Sequence, residues 1–166
     1  MRFILFDRVI DFRKGEEMVL LKNVSQSEDY FTDHFPGFPL VPGSIILGGF
    51  EQGGELLLAA SHDFSLRPVL KRLSRASFRH FVLPGDQLRI TLTLDGAAPT
   101  QVRALAQVDG RKVADARLEF SLERPDGDAK VLAACERLKS LYGLLTSTPL
   151  SKVWDLWERR NERPKG

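Results

Sequence analysis

Cysteine is almost missing from this sequence: Cys135 stands alone among 166 residues. A single thiol excludes an internal disulfide and suits a reducing compartment. The residues around Cys135 repeat with helical amphipathicity, so it reads as a buried structural thiol rather than a nucleophile. Long hydrophobic runs are missing as well. No apolar stretch reaches membrane-spanning length, and the start, MRFILFDRVIDF, carries Asp7 inside what would have to be the apolar core of a signal peptide. A soluble, unprocessed, cytoplasmic protein is expected, with no membrane partner.

Histidine is scarce, and His34, His62 and His80 lack the spacing of metal ligands. No phosphate loop or dinucleotide fingerprint is present, so neither a metal nor any other cofactor is expected. His62 follows the end of an apolar segment and reads as serving a helix C-terminus, while His80 reads as a packed or surface side chain. The net charge of +2 is too small to argue for a nucleic-acid partner. Its distribution is uneven, because Arg67, Lys71, Arg72, Arg75 and Arg79 crowd one segment, SLRPVLKRLSRASFRH. That crowding reads either as a solvated face or as a landing patch for an acidic partner.

What the chain has in quantity is alternation. Leu88, Ile90, Leu92 and Leu94 interleave with Arg89, Thr91 and Thr93; Val102, Ala104, Ala106 and Val108 repeat the pattern. Asp109-Gly110 is a strong hairpin signal. After it, Ala114, Ala116, Leu118, Phe120 and Leu122 face one way, with Val113, Asp115, Arg117 and Glu119 opposite. Phe3 to Ile10 and Met18 to Val24 read as a hairpin about Arg13-Lys14-Gly15-Glu16, and Ala76 to Val82 as a further strand closed by Pro84-Gly85-Asp86. About six antiparallel strands result, polar on one face. The length fits one domain with a sizeable core.

One stretch breaks the alternation. His34-Phe35-Pro36-Gly37-Phe38-Pro39-Leu40-Val41-Pro42-Gly43 holds three prolines and two glycines ahead of a proline-free apolar run from Ser44 to Ala60. The prolines stiffen the approach, and the run reads as a mostly buried helix. Gly48, Gly49, Gly53 and Gly54 lie inside it and cost about 1 kcal/mol each in helix propensity, which points to close approach of another backbone or a ligand. The loop delivers a histidine to a helix N-terminus, whose free N–H groups favour a carbonyl or oxyanion.

HFPGFPLVPG followed by an apolar helix resembles the signature of the hot-dog-fold 3-hydroxyacyl-(acyl carrier protein) dehydratases of fatty-acid synthesis. The flanks FILFDRVIDF, KNVSQSEDYFTDHFPG and FVLPGDQL resemble that family too, so the likeness covers about residues 3 to 123. It implies an α+β hot-dog fold, an antiparallel sheet wrapped around one long central helix, over residues 1–124. Residues 125–166 would form a C-terminal helical extension, with helices at Val131 to Leu145 and, bearing Trp154 and Trp157, at Val153 to Arg160. One departure stands out. The family's helical carboxylate, fourteen residues after the histidine, is replaced by Gly48, while the glutamine four residues further on is kept as Gln52.

The resemblance implies roles residue by residue. His34 would act on the proton alpha to a thioester, and backbone N–H groups around Gly43 and Ser44 would polarise its carbonyl. Phe35 and Gln52 would join Gly43 and Ser44 in binding substrate. Glu51, three residues beyond Gly48 on the helix, leans back toward the vacant place and is the candidate second catalytic residue; a salt bridge or an interface hydrogen bond is the competing reading. The implied partner is an acyl carrier protein or an acyl-CoA thioester, the carrier docking on Arg67, Lys71, Arg72, Arg75 and Arg79. A homodimer or higher homo-oligomer is implied as well. Two other functions fit the same residues: a hot-dog thioesterase using Glu51, and a non-catalytic acyl-carrier-binding homologue.

Overall fold

The structure, a computed structural model, describes residues 4–34 and 37–146. Two short strands come first, β1 (Arg8–Arg13) and β2 (Glu17–Asn23), followed by a single helical turn, α1 (Tyr30–Asp33), and the long helix α2 (Gly43–Ser61). Then come β3 (Arg67–Phe78), β4 (Gln87–Asp95), β5 (Ala98–Val108), β6 (Arg111–Glu123) and the helix α3 (Ala129–Thr146). All six strands join one antiparallel sheet in the order β1-β2-β4-β5-β6-β3.

The alternation explains the sheet's sidedness, since period-2 residues share a face. Leu88, Ile90, Leu92, Val102, Ala104, Ala106, Ala116, Leu118 and Phe120 are buried on the concave side. α2 fills that concavity, with Phe50, Leu56, Leu57 and Leu58 fully buried. Gly49, Gly53 and Gly54 owe their place to sheet side chains rather than to a backbone or ligand as the sequence suggests. A Cβ on Gly53 would lie 2.5 Å from the Leu92 Cδ1 and 2.7 Å from the Leu20 Cδ1, and one on Gly54 would lie 2.7 Å from the Phe120 ring. Large residues on the strands and none on this helix face let the two layers approach.

Three local expectations change. β3 begins at Arg67 rather than Ala76, so the basic segment is itself a strand. Register shifts between Leu70 and Arg72 and between Leu73 and Arg75 reset its alternation twice, which hides a period of two. Pro68 is compatible because β3 lies at a sheet edge. Val113 is buried, not outward, because the pairing of β5 with β6 slips between Ala106 and Gln107 and leaves Val113 as the extra residue. β1 starts at Arg8 instead of Phe3; the Leu5 N–H instead donates to the Gln52 Oε1 at 3.0 Å.

The Asp109-Gly110 hairpin forms as read, with both residues at positive φ. His62 caps the C-terminus of α2. α3 packs on α2 and β1, burying Val131, Ala134, Cys135, Leu138 and Leu145, although Leu132 faces outward. Tyr142 stacks edge-on to Phe12 at 5.8 Å. Burial raises the Cys135 thiol pKa, in keeping with a structural thiol. The helix expected at Val153 to Arg160, with Trp154 and Trp157, lies outside the described residues. No helix among the described residues is long and apolar enough to cross a membrane.

Candidate active site

His34 is set by a short element the sequence does not announce. The single turn α1 ends on it, and the His34 N–H donates to the Tyr30 carbonyl at 3.1 Å. The side chain is half-buried. Upstream, Lys22 is buried to 8% exposure and its ammonium bonds the Glu28 carboxylate. A buried lysine needs such a partner to stay charged. The pair therefore ties the end of β2 to the segment that leads into α1. Beside it lies a cavity of about 460 Å³ lined by Ile4, Leu5, Lys22, Glu28, Asp29, Tyr30 and Ile45. Burial, with a smaller push from the Glu28 charge, raises the Tyr30 phenol pKa to about 12, so the hydroxyl stays protonated throughout the neutral range. We expect Lys22→Met to destabilise the fold by about 1.5–3 kcal/mol, the worth of a hydrogen bond to a charged group, as read by urea denaturation.

Downstream of His34 the loop is fastened by the Val41 N–H, which donates to the Val82 carbonyl at 2.8 Å. Phe35 is outside the described residues. Pro42 is the N-cap of α2 and offers no side-chain acceptor, and its carbonyl takes the N–H groups of Ile45 and Ile46. The N–H groups of Gly43 and Ser44 are left without an acceptor among the described residues. Over Gly43 lies the ring of Phe78, 3.0 Å from where a Cβ would sit. Phe38, Phe78 and Phe81 are 52%, 49% and 68% exposed, an apolar rim beside these two donors, and Phe38 meets Phe81 edge-on at 5.8 Å. A glycine at 43 keeps both the ring and the donors accessible. Gly43→Ala should displace Phe78, and a loss in kcat/KM with little change in melting temperature would confirm that the space serves a ligand.

Glu51 lies eight residues into α2, about 12 Å along the axis from Gly43. It opens, with Gly48, Gln52, Glu55 and Leu5, onto a depression of about 180 Å³. Gln52 is buried and spends its carbonyl oxygen on the Leu5 N–H. The vacancy at Gly48 is bounded by the Leu5 Cδ1, 2.7 Å from a notional Cβ; this is the tip of a flexible side chain, so a larger residue there requires Leu5 to turn.

The five basic residues divide once β3 is drawn. Arg67 pairs with Glu123 at 3.2 Å, Arg72 with Glu119 at 3.9 Å and Arg79 with Asp115 at 3.7 Å. Lys71 and Arg75 have no ion pair among the described residues. Sequence reasoning missed α1 and the Lys22–Glu28 pair. A lysine interrupting an apolar strand, with an acid six residues on, was the signal available.

Residues 1–120 match the model of the FabA-like domain. The chain is 37% identical over 123 residues to a 3-hydroxyacyl-(acyl-carrier-protein) dehydratase FabZ of Pelotomaculum thermopropionicum, covering 72% of this chain and 88% of that one. It is 36% identical over 137 residues to the Myxococcus xanthus protein of the same name, covering 80% and 90%. Among solved structures, a Streptococcus mutans protein bound to acetyl CoA superposes with a TM-score of 0.59 at 18% identity, over 75% of this chain and 94% of that one. A hot-dog-like protein of Thermanaerovibrio acidaminovorans gives 0.57 at 19% identity, over 76% and 93%. These likenesses bear out the hot-dog fold that the sequence implied.

Proposed function

Because this chain belongs to the FabA-like family, we propose that it is a 3-hydroxyacyl-(acyl carrier protein) dehydratase, a hydro-lyase of fatty-acid or related acyl-chain biosynthesis. The observation that carries the reading is the match of residues 1–120, within which the histidine loop runs directly into the helix start with its two open N–H groups. The reaction breaks the Cα–H bond and the C3–O bond of the acyl thioester, forming a 2-enoyl thioester and water. His34 takes the alpha proton, the N–H groups of Gly43 and Ser44 hold the thioester oxygen as it gains charge, and Glu51 gives a proton to the departing hydroxyl. The acyl group arrives on an acyl carrier protein or coenzyme A, and the reaction belongs to the cytoplasm.

The two side chains are assigned to one site across a pair of subunits, His34 from one and Glu51 from the other. Support comes from β3, a twelve-residue edge strand with Leu73 and Phe78 exposed and its outer backbone edge unpaired by any other strand of the sheet. Such an edge is a template for a second copy. Light scattering at micromolar concentration should therefore give at least a dimer; a monomer would contradict this assembly.

A panel of 3-hydroxyacyl and saturated acyl thioesters tests the reaction. Loss of water from the 3-hydroxyacyl members, without release of free thiol, is the expected result. Thiol release would make the protein a thioesterase, and inertness with retained carrier binding would make it a non-catalytic homologue.

A further inference from the structure

Lys22 is the only buried charged side chain among the described residues. It stands on the inner face of β2 in line with Met18 and Leu20, both fully buried, and pairs across to the buried Leu88 of β4, so it interrupts an apolar row. Its partner Glu28 lies six residues on, outside the sheet, in the segment that leads into α1. Taking two charges out of water costs about as much as their attraction returns, and a buried pair can be exchanged for apolar side chains with little or no loss of stability. What an apolar contact does not supply is direction, because a charge-assisted hydrogen bond fixes where its two atoms sit.

α1 needs that direction. At four residues it is too short to hold its shape by itself, and its N-cap, Asp29, makes no side-chain capping bond. Asp29 and Tyr30 border the cavity of about 460 Å³, so no packed layer fixes the turn on that flank. Phe31 anchors it in the core, but a single buried ring leaves the turn free to pivot. The second anchor is Glu28, whose carboxylate takes the Lys22 ammonium while its backbone carbonyl takes the Phe31 N–H at 3.1 Å. Next the Asp29 carbonyl accepts the Thr32 N–H and the Tyr30 carbonyl accepts the His34 N–H, each at 3.1 Å. A line of bonds thus runs from an ammonium fixed on the sheet to the backbone of the histidine.

We propose that Lys22 and Glu28 are positioning residues for His34, holding α1 in the one orientation that aims the imidazole at the substrate. The inference rests on the assignment of the alpha proton to His34. In this role the pair acts through the backbone of α1 and does not touch the acyl group. A displacement of about 1 Å at a catalytic base costs about 10²-fold in rate, so a loosened α1 is felt in kcat more than in KM.

The test replaces both partners at once. In K22M/E28M the two charges leave together and side chains of similar volume fill their space, so the melting temperature should stay within a few degrees of the wild type. Measured well below that temperature, kcat for dehydration of a 3-hydroxyacyl thioester should nevertheless fall about 10²-fold with KM little changed. The same double replacement in a His34→Ala background should cost nothing further, because the histidine it positions is gone. A second readout needs no turnover. In protein isotope-labelled on its histidine rings, the His34 signals, identified by their disappearance in His34→Ala, should be a single sharp set in the wild type and broadened or doubled in K22M/E28M. Either a wild-type kcat or wild-type ring signals in K22M/E28M overturns the proposal, as does an equal loss of rate with and without His34. If the wild type dehydrates no thioester, it is the dehydratase reading that fails, and the ring signals alone decide the positioning.

Discussion

Replacing Glu51 by glutamine is expected to lower the rate of dehydration about 10²- to 10⁴-fold, as severely as His34→Ala, because elimination of a 3-hydroxyl at neutral pH needs a proton donor for the leaving oxygen as much as a base for the carbon acid. Gly48 has no side chain to give that proton. Glu51 sits one turn further on and opens with Gly48 onto the same depression. Glutamine preserves the shape and the hydrogen-bonding reach of glutamate while removing the transferable proton. Steady-state kinetics on a 3-hydroxyacyl thioester, read as conjugated enoyl product, measures the loss. A Glu51→Gln enzyme at the wild-type rate would take Glu51 out of the mechanism.

The second large effect is on stability. Phe50 is fully buried at the centre of α2, a turn before the glycines that let the helix settle against Leu20, Leu92 and Phe120. Phe50→Ala should cost about 3–5 kcal/mol, the lost transfer of the ring plus the cavity it leaves, against a total stability of about 5–15 kcal/mol. Urea titration of the two proteins reads the difference. A loss below about 1 kcal/mol would mean that the concave side of the sheet collapses onto the helix, contrary to the close packing around Gly53 and Gly54.

Much of this fold was legible because its signals are local. β4, β5 and β6 alternate without interruption over most of their length, and Asp109-Gly110 fixes the hairpin between the last two. Most of β3 was not legible beyond its end at Ala76 to Phe78, since two register shifts within twelve residues scramble its alternation and its arginines read as a solvated face or a landing patch rather than as a strand. α1 escaped because four residues are too few to establish a helical period. The loop holding His34 and the helix start at Gly43 were readable from proline and glycine placement, but what surrounds them was not. The ring of Phe78 over Gly43 and the Leu5 side chain against Gly48 come from residues 35 and 43 positions away in the chain.

The departure at Gly48 decides between a working enzyme with a relocated acid and one that has lost its acid. The most direct measurement is the dehydration rate of the wild type beside that of Gly48→Glu, on the same 3-hydroxyacyl thioester, with the fold of the variant checked by its melting temperature because Leu5 must turn to admit the side chain. With Glu51 supplying the proton, the wild type is already active and Gly48→Glu changes its rate by less than about tenfold, well short of the contribution of a general acid. A wild type close to inert, brought to life by Gly48→Glu, would contradict the account.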